Sequence, residues 1–384
     1  MATTFKQFLN NDITTTRTLL HENIPITGSI VSGTYNEGGT STETNVKNYS
    51  HGLFQSVYDY PYLSSSANHI FDLTVGYSSE SSFNNSANTQ NTDKLNIYNQ
   101  MAQVLVGHDP TGAIRRFDED GDFGGGGTKL DEVFFVNFAR LLSKDEIKKG
   151  TFEIEFGVSG SATKESTGSV NPVTNFGFRV KVKDLSGSTS YLTNSPAGEY
   201  GVLYATSSDH AASRLTNEEV PVGLVYYQAG IAVISGSLFR DTTKGGILKT
   251  NVNDQDGVVG LANPQTLNAG NTGLDFVTGS SISGSAAAIR YRIFNISFNN
   301  TTELNSTVYF CRASHNEFNY SANPTYLSDS QIRVKETTLD QPVSYITTVG
   351  LYSATNELLA VAKVSEPLKK TPDTELTLRV RLDY

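Results

Sequence analysis

The sequence predicts a mainly β protein of antiparallel sheets or sandwich domains, with two short helices (92–107 and 143–150) and long loops. Three observations carry this. Several segments alternate apolar and polar residues with a period of two, the pattern of half-buried strands. Hydrophobic residues are only 37% and charged residues only 18% of the 384, so Ser, Thr, Asn and Gly fill the balance, as in short strands joined by uncharged loops. Apolar residues at helical spacing occur only in short stretches.

Residues 1–50 are polar and threonine-rich with little periodicity, and are expected to form an extended arm that orders on assembly. A β-rich domain is expected over 51–240. It begins in NYSHGLFQSVYDYPYL, where Phe54, Tyr58, Tyr60 and Tyr62 are candidate interface anchors, since rigid rings bury area at small entropic cost. A role in the core suits them equally. The first helix, TDKLNIYNQMAQVLVG (92–107), has a capping Thr or Asp, then Leu95, Tyr98, Met101, Ala102 and Leu105, and stops at Gly107. The second, SKDEIKKG (143–150), has Ser143 and Glu146 at capping-box spacing and Gly150 after its lysines. Between them VFFVNF reads as a buried strand. TFEIEFGV (151–158) and FGFRVKVKD (176–184) carry opposite charge on their polar faces and are expected to pair antiparallel.

LVYYQAGIAVISGSLF (224–239) reads as one long strand bulged near Gly230, or two strands broken there. Residues 241–288 are rich in Gly, Asn, Thr and Ser and read as an excursion. From 289 to 384 a C-terminal antiparallel β domain is expected. RYRIFNISF, STVYFCRAS, SYITTVGLYS, LLAVAKVS and TELTLRVRLDY form its meander of about five strands, separated by turn-rich pieces such as NNTTELN.

Charge and cysteine usage restrict the function classes. A formal net charge of −10 without a basic stripe argues against nucleic acid as a partner. One cysteine, Cys311, excludes an intrachain disulfide, and the apparent lack of a signal segment predicts assembly in a reducing cytoplasm. No stretch approaches the ~18 consecutive apolar residues of a membrane helix, so no membrane partner is expected.

No catalytic pattern emerges. The six histidines have no zinc-type spacing, no G-x-S-x-G is present, and nothing selects a carboxylate pair among 39 acids. His51 is the first histidine to inspect, within an aromatic setting that suggests packing. The reading is therefore of no enzyme and no cofactor. The most conspicuous stretch is DEDGDFGGGG (118–127). Asp118, Asp120 and Asp122 take positions 1, 3 and 5 of a calcium loop, but position 6 is Phe123 and position 12 is Lys129. A phosphate loop fails too, because GGGGTK reverses the G-K-[ST] order. The three aspartates are weak metal candidates against a wet turn between helix and strand.

SYITTVGLYSATNELLAVAKVSEPLKK, followed by ELTLRVRLDY, resembles the tail-collar and tail-fibre attachment modules of bacteriophages. There a strand ends in a G-L-Y or G-L-F triplet and returns as an E-L-L-A-V-A-like strand. The matching residues are Gly350, Leu351 and Tyr352, then Asn356-Glu357 and Leu358 to Ala362. FKQFLNNDITTTRTLLHENIPITGSIVSG, TKLDEVFFVNFARLLSKDEIKKG and NEFNYSANPTYLSDSQIRV extend the likeness: the chain resembles virion structural proteins of contractile-tailed phages infecting marine cyanobacteria. This implies a virion protein at the tail (baseplate, neck or collar, or fibre attachment), assembled in the host cytoplasm, with other virion proteins and copies of itself as partners. Gly350, Leu351 and Tyr352 then become interface candidates. A receptor-binding adhesin of the tail is the alternative, and a tail-associated glycan depolymerase ranks below it.

Overall fold

The computed structural model describes residues 5–27, 30–31, 43–123, 126–142, 145–157, 179–206, 219–239, 247, 281–290, 292–321, 327–328, 331–332, 337 and 339–383. The chain is mainly β and antiparallel, as the alternation predicts. It divides into two compact units, one of residues 1–19 with 303–384 and one of residues 20–302. These limits differ from the expected ones. The arm placed at 1–50 is divided inside strand β1 (Ile13–Thr27), and the C-terminal unit starts inside strand β13 (Ile293–Ala313), not at 289.

The reason is that NNTTELN continues β13 instead of turning. Asn300 and Thr301 pair with Ile147 and Glu146 of strand β6 (Glu146–Ile147). The Asn300 side-chain amide donates to Asp145 at 2.8 Å, while its carbonyl accepts the Glu22 N–H at 2.9 Å. Turn-forming side chains favour local bonds only when no neighbour offers a better partner, and here neighbouring segments do.

In the unit of residues 20–302 one sheet runs in the order β13–β7–β8–β10–β11–β12–β5–β4–β3–β2. Its strands are β7 (Glu153–Gly157), β8 (Arg179–Lys183), β10 (Gly198–Thr206), β11 (Glu219–Tyr226), β12 (Ile231–Ser235), β5 (Glu132–Asn137), β4 (His69–Tyr77), β3 (Gln55–Tyr58) and β2 (Val46–Asn48). The short β9 (Leu192–Ser195) pairs with β10. The register of β7 and β8 sets Glu153 opposite Lys183 and Glu155 opposite Lys181, the complementarity expected from their polar faces. Glu153 also pairs with Lys181 at 3.3 Å, and Arg179 reaches Glu155 at 3.4 Å. Val158, Phe176 and Phe178 of those two segments lie outside the described residues.

The most apolar segment breaks at Gly230 into β11 and β12, a hairpin with a four-residue turn. Its lack of alternation has a simple cause: the sheet is covered on both faces. Phe134, Val136, Ala232 and Ile234 belong to one apolar cluster, whereas Val133, Phe135, Ile231 and Val233 belong to the other. Helix α1 (Asn91–Leu105) places Tyr98, Ala102 and Leu105 in the second cluster, as its spacing predicts. After the one-turn helix α2 (Gly187–Ser190), helix α3 (Ile282–Arg290) buries Ile282, Ala286 and Ile289 in the first cluster. Its first residues fall in the stretch read as an excursion. The rest of that stretch, apart from Ile247 and Ser281, lies outside the described residues.

The helix expected at 143–150 does not form. Ser143 lies outside the described residues, and Glu146–Ile147 is strand. The Ile147 N–H donates to the Tyr227 carbonyl (3.1 Å) and the Lys148 N–H to that of Asn299 (2.7 Å). A helix this short has too few internal bonds to repay its nucleation, so bonds to neighbouring strands and burial of Ile147 prevail.

In the unit of residues 1–19 and 303–384, β13 from Ser306 to Ala313 pairs antiparallel with β18 (Leu376–Asp383). β16 (Ser344–Tyr352) and β17 (Leu358–Lys370) pair with each other as a separate hairpin, and β14 (Leu327–Ser328) with β15 (Gln331–Ile332). The strands are those expected at 306–314, 344–353, 358–365 and 374–384, but they form separate pairs and no single meander. The base of the hairpin is pinned by Lys370, fully buried, whose ammonium donates to the Asn319 side chain (2.8 Å) and to the Thr371 and His315 carbonyls (2.9 and 3.2 Å).

One buried carboxylate ties the ends of β7 and β8 to the sheet. Asp184 accepts the Gly150 N–H (2.7 Å), the Gly187 N–H (2.9 Å) and the Tyr227 hydroxyl (2.8 Å). Asp184→Ala strands these donors, at a penalty of the order of 1–3 kcal/mol for a buried polar group. It is expected to lower unfolding free energy by about 3 kcal/mol in urea titrations. A change below about 0.5 kcal/mol would show that water replaces the carboxylate.

Candidate functional site

Four sequence features bear on chemistry or contact, and the structure separates them. The first is the acidic glycine loop. It leaves the Phe117–Asp118 backbone and returns at Lys129–Leu130, closed by the Leu130 N–H on the Phe117 carbonyl (2.9 Å) and the Glu119 N–H on that of Thr128 (3.1 Å). Phe123, at the position where a calcium loop needs Gly, is a plug: it is buried and stacks on Tyr200 with ring centroids 5.3 Å apart. The Tyr200 hydroxyl donates to the Gly121 carbonyl at 2.9 Å. The loop is thus fastened to the second apolar cluster.

Its aspartates have separate tasks. Asp118 is fully buried and forms an ion pair with Lys129 through Oδ2, while its Oδ1 accepts no hydrogen bond. Asp120 accepts the Asp122 N–H at 2.9 Å, a local turn. A Cβ on Gly127, whose φ is +97°, would stand 2.8 Å from Asp118 Oδ1 and 3.1 Å from Asp120 Oδ2, so a glycine lets the returning backbone pass over both carboxylates. Among the described residues no group of three or more His, Cys, Asp or Glu is placed to hold a metal ion. The Asp118 carboxyl is pushed above its ordinary value, first by burial and further by Asp120, against the lowering effect of Lys129.

The second feature, the aromatic run, is two groups. Phe54 packs with Tyr49 (4.7 Å) and His51 (5.1 Å), whose rings are parallel to each other, and Lys47 stands over Tyr49 at 4.8 Å. Tyr58 packs on Tyr62 (6.1 Å) and edge-on to His69 (5.3 Å). Tyr60 is 48% exposed and Leu63 88%, so this end of the sheet shows apolar surface to solvent. His51 Nδ1 accepts the Leu53 N–H at 3.1 Å, a bond that shapes the loop.

Between the two groups lies a polar chain that the sequence reading missed. The Tyr49 hydroxyl meets Ser56 Oγ at 3.2 Å, Ser56 donates to Asp72, and His69 Nε2 lies 2.8 Å from the same Asp72 oxygen. Ser, Asp and His are present, but the serine bonds the carboxylate and not the imidazole, so no base faces a nucleophile. A register shift causes the convergence. Ser56 stands opposite Asp72, but Tyr58 stands opposite His69, so one extra residue in β4 turns His69 to the face of Asp72. Burial pushes the Asp72 carboxyl up, but hydrogen bonds from His69 and Ser56 outweigh it and hold the group below its usual value.

The third feature is the strand end Gly350-Leu351-Tyr352. Leu351 is buried, while Tyr352 is 45% exposed and lies 4.7 Å from the Phe5 ring. A Cβ on Gly350 would meet Tyr352 Cε2 at 2.9 Å and Leu358 Cδ1 at 3.3 Å, so the absent side chain gives those two their place across the hairpin. The turn closes by the Ser353 N–H on the Glu357 carbonyl (2.9 Å), with Asn356 in the left-handed region at φ +67°. The fourth, Cys311, is half-buried on β13, and burial raises its thiol pKa, opposite to what a reactive thiolate needs.

No family model, no curated protein sequence and no solved structure matches this chain. Among the described residues no helix is long and apolar enough to cross a membrane.

Three outcomes follow from these groups. Melting temperature is expected to be the same in chelator and in millimolar calcium, and a rise with calcium would restore the loop as a metal site. Because the folded pKa of Asp118 is raised, stability present in acid is lost as pH climbs from the ordinary Asp value through the raised one. Asp120→Asn removes the like charge and is expected to raise the urea midpoint at neutral pH. Asp72 works in the opposite direction: its depressed pKa contributes stability above the unfolded value that disappears as pH falls through the folded one. Asp72→Asn is expected to cost about 1–3 kcal/mol at neutral pH and to flatten the acid limb of the pH–stability curve.

Proposed function

We propose that this chain is a structural protein of a bacteriophage virion, at the tail (baseplate, neck or collar, or fibre attachment), working by subunit–subunit packing. The observation that carries the reading is the β16–β17 hairpin. Among the described residues its strands pair in a sheet only with each other, and it presents Tyr345, Leu358, Leu359 and Val361 to solvent, with Leu359 67% exposed. Two strands alone are marginally stable in water. Large apolar side chains exposed on so small a sheet are the kind of surface that a partner covers. The hairpin is also the segment that resembles phage tail attachment modules, with Gly350 and Leu351 shaping it and Tyr352 on its surface.

β1 adds a second surface of the same type. Thirteen of its 15 positions from Ile13 are exposed, among them Leu19 and Leu20, and among the described residues no strand lies beyond it in the sheet order. Open edges of this length are normally guarded or covered. Copies of the chain and other virion proteins are the partners that such surfaces suit. A tail adhesin is the second reading, favoured by the half-exposed rings of Tyr49 and Phe54 at the far end of the sheet.

Gold-labelled antibody against the purified chain is expected to decorate the tail of intact particles, and label on the capsid alone would overturn the assignment. If the adhesin reading holds instead, pre-incubating host cells with the protein reduces phage adsorption; unchanged adsorption removes it.

A further inference from the structure

Phe5 to Phe8 and Asp12 line a groove of the unit formed by 1–19 and 303–384. We propose that in the assembled protein this groove receives residues 5–12 of a second copy, the chain exchanging with a neighbour the contacts it makes with itself. The inference rests on the assembly reading above.

With residues 5–8 and 12 in its wall, the groove still leaves about 930 Å³ empty between them, β16, the end of β13 and Phe318. Its acceptor edge is unguarded. β16 contains neither a proline nor a charge, whereas β17 carries Pro367, Lys363, Glu366 and Lys369, and its register jumps from Ile346–Leu368 to Thr348–Lys363. Prolines, charges and bulges are the devices that protect an edge, and only one edge of this hairpin has them.

Charge identifies the occupant. Lys6 forms an ion pair with Glu317 and donates to Ser314 Oγ at 3.1 Å, and six residues on Asp12 accepts from Arg312 at 2.6 Å. The order is positive then negative on the segment, negative and positive on the wall, so the segment fits in one direction. Phe5 on Tyr352 (4.7 Å) and Phe8 on Tyr309 (5.4 Å) add two aromatic contacts. A copy of this chain meets all four requirements.

Held by its own chain, the segment fits incompletely. Of residues 5–12 only Asp12 is buried, Leu9 is 70% exposed, and Phe318 and Tyr320 on the wall remain 49% and 65% exposed. A segment with so few buried contacts belongs to the part of a fold that opens most readily. The segment ends in the single turn at Asn10–Asp12, directly before β1 begins at Ile13. Exchange returns the same contacts on a neighbour, and inside an assembly the neighbour's groove is present at millimolar effective concentration.

The Lys6–Glu317 ion pair provides the test without any substitution. Equal amounts of light and isotope-heavy protein are mixed, assembled, and treated with a zero-length amide cross-linker; sedimentation reports oligomer and mass spectrometry reads the Lys6–Glu317 peptide pair. Light–heavy pairs making up half of the product are expected. Oligomer in which every pair is light–light or heavy–heavy overturns the exchange and leaves the assembly reading standing. Protein that stays monomeric at all concentrations overturns the exchange too, and particle labelling then judges the assembly reading by itself.

Discussion

Strands β5, β11 and β12 bury both faces, and the rest of the 20–302 unit is arranged to make that possible. A sheet covered on both sides needs two layers of cover. Helix α3 contributes to the layer that receives Phe134 and Val136; helix α1 and the Phe117–Leu130 loop contribute to the layer over Val133 and Phe135. Each fully buried aromatic side chain in such a position contributes on the order of 1.5–3 kcal/mol by removal from water. The acidic glycine loop has its shape because of this demand: Phe123 has to reach Tyr200, and the acids before it form the turn that delivers it.

Polar groups inside this unit obey the same constraint from the other side. A buried carboxylate is tolerated when donors surround it, and Asp184 has three. Asp72 has two donors and keeps its charge at a low pKa, whereas Asp118 has one cation on one oxygen, none on the other, and a raised pKa. For Asp72 and Asp118 the count of donors goes with the sign of the effect.

The C-terminal unit is governed by what it leaves uncovered. Its hairpin is anchored at one end by Lys370 and exposes apolar side chains along its length. Its contacts with residues 5–12 are ionic and aromatic at the surface, where a single ion pair is worth little. Such a unit has specificity without much internal stability, which suits a surface that completes its burial on another chain.

Alternation in the sequence marked β7, β8, β13, β16, β17 and β18, helical spacing marked α1, and opposite charge paired β7 with β8, because period and charge are written residue by residue. The strands SYITTVGLYS and LLAVAKVS were legible for the same reason, and the strand end at Gly350-Leu351-Tyr352 with its Asn356 turn through the resemblance. Tertiary structure alone decided the rest. Glu146–Ile147 became strand because β13 and the Tyr227 carbonyl offered backbone bonds that a short helix could not match; NNTTELN stayed extended because Asp145 and Glu22 engaged Asn300. The Ser56–Asp72–His69 chain was invisible in advance because one extra residue in β4 sets which face His69 takes. A bulge depends on the partner strand, and a sequence read along one strand does not contain the partner's register.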